Sequence, residues 1–199
     1  VDGGVTWDIT GGSSFEALNI NVWEFLFHPL QPNIVFAATN LGLYRSTDTG
    51  DTWTEILPNE CMTVSFKPND YSVVYTVHYE SALGIAKFYK STDVGLNFTM
   101  YDNGWFAENA GFTGVELLGG HLAVTEADPN RIYVALAGYG TYNTNVELNG
   151  WIGLYVSYDG GESWVNNHGT IGTPYNVDTH PNLMNFAADN GTYTQIHYN

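Results

Sequence analysis

Four short segments of this chain repeat one another, and a chain that repeats at a near-fixed period folds as an array of like units. Three copies are complete: Ser46-Thr47-Asp48-Thr49-Gly50-Asp51-Thr52-Trp53, Ser91-Thr92-Asp93-Val94-Gly95-Leu96-Asn97-Phe98 and Ser157-Tyr158-Asp159-Gly160-Gly161-Glu162-Ser163-Trp164. They share the pattern S-x-D-x-G-x-x-W/F. A truncated copy opens the sequence as Val1-Asp2-Gly3-Gly4-Val5-Thr6-Trp7. The aspartates fall at 2, 48, 93 and 159, spacings of 46, 45 and 66. A second signature precedes each segment: an x-Pro step, a polar link and an apolar run. The steps are His28-Pro29, Lys67-Pro68, Asp128-Pro129 and His180-Pro181, and the runs are 34–39, 73–77, 132–137 and 183–188. These runs are apolar at consecutive positions, the pattern of strands covered on both faces.

The octapeptide has a structural logic. Its Asp carboxylate can accept backbone N–H groups from its own turn. Its Gly supplies a positive-φ position that a side chain resists. Its Trp or Phe begins the next strand and folds back over the turn. Recurrence of Asp48, Asp93 and Asp159 therefore reads as folding, with no catalytic meaning. With 22 Gly and 15% aromatic residues, and no long segment of helical apolar period, the chain is expected to be all-β.

These repeats resemble the Asp-box (BNR-repeat) β-propellers, the architecture of sialidases, xyloglucanase-type glycosidases and sortilin-like receptors. The resemblance covers essentially the whole chain, with Phe98 standing where Trp is usual. It implies four-stranded antiparallel blades with the box at each C–D turn, and about four blades' worth of chain. Residues 1–12 would be the D strand of a preceding blade, 21–57 blade one, 61–101 blade two, 121–167 blade three and 176–199 strands A to C of a further blade. The structural box residues are Asp2, Trp7, Asp48, Gly50, Trp53, Asp93, Gly95, Phe98, Asp159, Gly161 and Trp164. Two arrangements fit. In one the chain is a stretch of a larger propeller, completed by more chain or a partner chain. In the other a strand at 6–10 pairs with one near 192–197 and closes a four-bladed ring. The chain does not open on Met and has no signal-type segment, so it is expected to be a mature or trimmed product.

Charge narrows the partners. Five Lys and Arg face 21 Asp and Glu, a net charge of −16, which disfavours nucleic acid and anionic lipid. No apolar run reaches the ~18 residues of a membrane span. Cys61 is the lone cysteine, so no intrachain disulfide or cysteine metal site exists. It is expected to be a small buried residue. His28 and His180 belong to the Pro turns, and the other histidines lack metal-ligand spacing. No cofactor or metal is expected.

Two insertions break the period, at 102–120 and 138–150. In a propeller they leave blade three on one face as loops. With their borders they carry Tyr101, Trp105, Phe106, Tyr139, Tyr142 and Trp151, interleaved with Asn and carboxylates. Aromatic plates beside amides suit sugar rings or a protein surface, and long loops on a rigid scaffold are where binding sits. Trp105, Tyr139 or Tyr142 is expected to stay partly exposed. The competing expectation is that these rings form a small core under the loops.

The resemblance also supplies enzymes to test. Sialidases clamp the substrate carboxylate with three arginines; this chain has Arg45 and Arg131. Xyloglucanase-type enzymes place a catalytic Asp at a B–C loop where this chain has Asn40, an amide that cannot act as a base. Glu80 and Asp189 are the weak carboxylate candidates, and a glycosidase would need them ~5–10 Å apart. Sortilin-like receptors pair the propeller with a cysteine-rich module that is absent here. Photosystem-assembly propellers share the repeat, but this chain has too few arginines for a basic patch. The expected function is a non-catalytic extracellular or cell-surface binding or adhesion module for a glycan or protein. The alternatives are a glycoside hydrolase and a structural spacer.

Overall fold

The computed structural model describes residues 3–7, 15, 18–105, 112–142, 146–149, 153–168, 185–188 and 191–194. Of these, 112–116, 118, 139–142, 146–149, 167–168, 185–188 and 191–194 are described by backbone alone. Apart from Phe15, which is helical, the regular elements among the described residues are strands in antiparallel sheets. The first sheet has the order β1 (Val22–Phe27), β2 (Val35–Thr39), β3 (Gly42–Ser46), β4 (Thr54–Pro58). The second has β5 (Glu60–Lys67), β6 (Asp70–Glu80), β7 (Ile85–Ser91), β8 (Thr99–Met100). The third joins β9 (Phe112–Val124), β10 (Ile132–Tyr142), β12 (Gly153–Ser157) and β13 (Val165–His168), with β11 (Val146–Asn149) added on β10. A final hairpin pairs β14 (Asn185–Ala188) with β15 (Gly191–Thr194).

Local chemistry closes each hairpin. After β1, His28 is buried and its Nδ1 accepts the N–H of Leu30 and of Gln31, both at 3.1 Å. Between β2 and β3, Thr39 Oγ1 donates to the Gly42 carbonyl at 2.7 Å and accepts the Gly42 N–H at 3.0 Å. Between the third and fourth strands of each sheet lies one of the octapeptides, and the three are bonded alike. Ser46 Oγ donates to Asp48 Oδ1 at 2.7 Å and accepts the Gly50 N–H at 2.8 Å. Asp48 Oδ1 in turn accepts the Thr52 N–H at 2.9 Å. Asp93 accepts the N–H of Leu96 and Asn97, and Asp159 those of Glu162 and Ser163. Each turn passes through two successive left-handed residues: Thr49 (φ 67°) and Gly50 (95°), Val94 (59°) and Gly95 (72°), Gly160 (74°) and Gly161 (88°). Gly3 (71°) and Gly4 (87°) do the same at the truncated copy, where Trp7 Nε1 donates to the Gly4 carbonyl at 3.0 Å.

The sheets stack face to face in chain order. β5 lies against β1, β2 and β3, and β9 lies against β5, β6 and β7. Two apolar seams result. Phe36, Ala38 and Leu43 of the first sheet meet Cys61, Val64, Phe66 and Val74 of the second. Tyr75, Val77 and Phe88 of the second meet Ile132, Val134, Leu136, Tyr155 and Trp164 of the third. β6 explains the unbroken apolar run at 73–77: Val74 enters one seam while its neighbours Val73 and Tyr75 enter the other.

Three expectations are corrected. The second part of the insertion at 102–120 is strand, because β9 begins at Phe112 and pairs with β10 along its length. The insertion at 138–150 is also paired, through the end of β10 and β11. Within β9, Gly120 makes a close approach: a Cβ there would stand 2.8 Å from Met62 Sδ and 3.2 Å from Leu136 Cδ2. Finally, residues 6 and 7 are not in a strand, and Trp7 is 88% exposed. Residues 8–10, 195–197 and Asp2 lie outside the described residues, so the pairing that would close a ring does too.

Candidate binding face

The third sheet outgrows its neighbours at one end. β10 pairs with β12 from Ile132↔Ser157 to Leu136↔Gly153, and there β12 stops. Beyond that point β10 keeps β9 on one side and takes β11 on the other, from Tyr139↔Asn149 to Tyr142↔Val146. A three-stranded extension therefore continues the sheet past its four-stranded body. Gly120 rests on Met62, next to the Cys61↔His78 pair. The extension thus leaves the stack at the end where β6 turns into β7 through 80–85. A paired extension holds its shape as a loop does not, since its backbone groups are satisfied within the sheet. Two register shifts, at Ala137/Gly138 and Tyr139/Thr141, bend it.

The aromatic residues expected on this face divide. Trp105 is only 5% exposed and is a core residue, against the expectation for it. Its Nε1 donates to the Ala86 carbonyl at 2.9 Å, and its ring centre lies 5.0 Å from Tyr155 and 4.6 Å from Trp164. Segment 101–105 folds back to insert it: Trp164 N–H donates to the Asn103 carbonyl, and Gly104, at φ 73°, lies against the Trp164 carbonyl. Tyr101 is half-buried, with Lys90 Nζ 5.3 Å from its ring centre. Tyr139 and Tyr142 lie on β10 in the middle of the extension. Phe106 and Trp151 lie outside the described residues.

Polar groups at this end are largely committed to the fold. Glu80 is ion-paired with Lys87. Asp189 lies outside the described residues. Asn40 Oδ1 accepts the Asn21 N–H at 2.7 Å, bracing the start of β1. His78 is buried with Nδ1 3.1 Å from the Pro58 carbonyl and 3.2 Å from that of Asn59. Burial depresses its pKa to about 4, so near neutrality the ring is uncharged and Nδ1–H donates. Cys61 is fully buried, and burial pushes its thiol up to about 12. Among the described residues no group of three or more His, Cys, Asp or Glu is placed to hold a metal ion.

All five basic residues are engaged inside the chain. Arg45 Nε donates to the Val94 carbonyl at 3.1 Å, and Lys67 Nζ to Asn130 Oδ1 at 2.9 Å. Lys87 pairs with Glu80, Lys90 with Glu162 at 3.5 Å, and Arg131 with Asp128 at 3.2 Å. Three of these contacts cross a seam, those of Arg45, Lys67 and Lys90. The acidic excess is thereby left to the surface.

One feature escaped the sequence reading. Trp23, Phe25 and Phe27 alternate along β1 and are 54%, 51% and 58% exposed. The alternation is visible in the sequence as W-E-F-L-F.

No family model matches the chain, and no curated protein matches it. Solved structures do. An ancestral GH74 enzyme superposes with a TM-score of 0.57 at 17% identity, over 75% of this chain and 18% of that one. A GH74 xyloglucanase from Xanthomonas campestris gives 0.45 at 15% identity, over 73% of this chain and 30% of the other. YCF48 bound to D1 peptide gives 0.26 at 15% identity, over 69% and 64%. This chain spans less than a third of either GH74 protein. The first likeness, with the serial stack of four-stranded sheets, makes the fold that of a β-propeller.

Proposed function

We propose that the chain is a non-catalytic binding or adhesion module, secreted or at the cell surface, and a stretch of a larger Asp-box propeller. Blades one to three are 21–57, 61–101 and 121–167, with 176–199 beginning a further blade. The observation that carries the binding reading is the three-stranded extension of the third sheet, which lifts Tyr139 and Tyr142 beyond the stack on a paired backbone. The charge balance sets the ligand class. With every Lys and Arg engaged and a net charge of −16, the face favours a neutral glycan or a basic protein segment over any polyanion. Asn40 at the B–C position and the Lys87 pairing of Glu80 argue against hydrolysis.

The test is binding to immobilised neutral glycans and to basic peptides, with Tyr139→Ala and Tyr142→Ala as the variants. Each is expected to weaken capture about tenfold, the order of ~1.4 kcal/mol, with thermal midpoints within a few degrees of the parent. Capture that fades with salt identifies a basic peptide; capture indifferent to salt identifies a glycan. Release of reducing sugar from β-glucan, lost in Glu80→Gln, would instead establish the hydrolase.

A further inference from the structure

The two seams differ at their mouths, the ends beside the octapeptide turns. One step before the octapeptide serine, Phe36 pairs with Arg45 in the first sheet, and Tyr75 with Lys90 in the second. At the first mouth the Phe36 ring occupies the place where a Cβ on Gly95 would stand. Arg45 Nε crosses to the Val94 carbonyl, with its guanidinium 5.9 Å from the Phe36 ring centre. Val94, Tyr71 and Phe98 pack on the same core, so this mouth is closed by apolar groups.

The second mouth is polar. Gly160 stands where the first seam has Val94, at the left-handed position before the octapeptide glycine. The N–H of Val94 donates to the Ser72 carbonyl, and that of Gly160 to the Asn130 carbonyl, both at 2.8 Å. Without a side chain, Gly160 leaves a notch. The atoms nearest to a Cβ built there are Tyr75 Oη and Asn130 Oδ1 at 3.6 Å and Lys90 Nζ at 3.9 Å. Lys67 Nζ reaches the same amide, donating to Asn130 Oδ1 at 2.9 Å. Two of the chain's five cations therefore flank one notch.

Tyr75 adds an independent sign. Its side chain is fully buried, and among the described residues its hydroxyl has no hydrogen-bond partner. A buried hydroxyl left so is rare, because nothing offsets its desolvation. Burial, and after it the charge of Asp70, raises its pKa, so the hydroxyl keeps its proton and can donate. The neighbouring carboxylates do not fill the notch. Asp70 Oδ1 accepts the N–H and hydroxyl of Ser72. Glu162, with its side chain 62% exposed, meets Lys90 at 3.5 Å, an exposed pair of the kind that contributes little.

We propose that the notch at Gly160 binds a small oxyanion, phosphate or sulfate, free or as an ester group. Lys67 and Lys90 hold it from two sides, and the anion takes the place of Glu162 on Lys90. The Tyr75 hydroxyl is the third donor. Bonds from ammonium groups to an oxyanion are the strong, charge-assisted kind. The notch lies at the octapeptide-turn end of the strands, opposite the three-stranded extension, so it stands or falls independently of the binding face proposed there.

Phosphorus NMR of inorganic phosphate with the full chain, at fixed ionic strength, tests this. The parent is expected to broaden the phosphate line saturably in the millimolar range. Lys67→Met and Lys90→Met are each expected to weaken binding about tenfold, and Tyr75→Phe by less. Gly160→Val restores the side chain of the first seam and is expected to abolish binding. Val94 holds that position at φ 59°, so the valine is compatible with the turn, and an unchanged circular dichroism spectrum checks it. Lys87→Met removes the same charge away from the notch and is expected to bind phosphate as the parent does. A hexose phosphate run in parallel distinguishes the sources: the tighter of the two is the form the site takes. Failure of the parent to bind either form would overturn the proposal. So would binding that survives Gly160→Val, or a loss in Lys87→Met equal to that in Lys90→Met.

Discussion

At Asp48 the Thr52 hydroxyl, the Thr52 N–H and the Ser46 hydroxyl all donate to one carboxylate, and its pKa falls to about 2. Asn97 does the same for Asp93, also to about 2. At Asp159 burial pushes upward, but the Ser163 and Ser157 bonds outweigh it and the value again falls to about 2. The unfolded chain holds these groups near ~3.9. A depressed carboxylate stabilises the fold above its unfolded pKa, and that stabilisation is lost as pH falls toward 2. His78 acts in a higher window. Its folded pKa of about 4 lies below the ordinary 6.5, so the unfolded state takes up the proton first and stability declines as pH drops from 6.5 to 4. The thermal midpoint is therefore expected to fall in two limbs on acidification, and His78→Gln should flatten the upper one. An unchanged slope between pH 6.5 and 4 in that variant would remove His78 as the cause. Cys61, with its thiol at about 12, is expected to resist thiol reagents at pH 8 until denaturant is added. Modification of the native chain within minutes would show that β5 opens.

Among the elements, the octapeptide turns differ in what surrounds them. Trp164 is buried against Phe88 and Trp105. Trp164→Ala is expected to cost ~3–5 kcal/mol in a urea titration, whereas Trp7→Ala should change the midpoint little. Equal costs would mean that the N-terminal turn has a partner in solution. The sequence places the apolar strands closely: β2 fills the run at 34–39 from Val35 on, and β10 begins with the run at 132–137. Local chemistry decides these, since Pro steps and Ser-x-Asp turns bracket short apolar runs. It does not decide β9. Phe112–Gly120 is rich in glycine and lies within an insertion, so it looked like loop; what makes it strand is its long-range partner β10. Trp105 was misplaced for the same reason. Nothing within 101–105 shows that Ala86, nineteen residues earlier, offers a carbonyl to its indole. Tyr139 and Tyr142, expected in a loop, lie instead on β10 where it pairs with β11.

In the whole molecule, cations are spent on the interior contacts of a strongly acidic chain. Arg45, Lys67 and Lys90 tie sheet to sheet, and Lys87 and Arg131 pair locally. A net charge of −16 then works against compactness through self-repulsion. Raising sodium chloride from low salt to about 0.5 M, where screening reaches only a few ångströms, is expected to raise the thermal midpoint by several degrees. A fall would mean that the seam ion pairs outweigh surface repulsion. The stack also distributes its indoles unevenly. Trp105 and Trp164 lie together in the second seam, while Trp7 and Trp23 are largely exposed. These four of the six tryptophans therefore form two optical populations, a blue-emitting pair shielded from quenchers and a red-emitting pair open to them. The first reports the closing of a seam from within, and the second reports the arrival of anything that covers the first sheet.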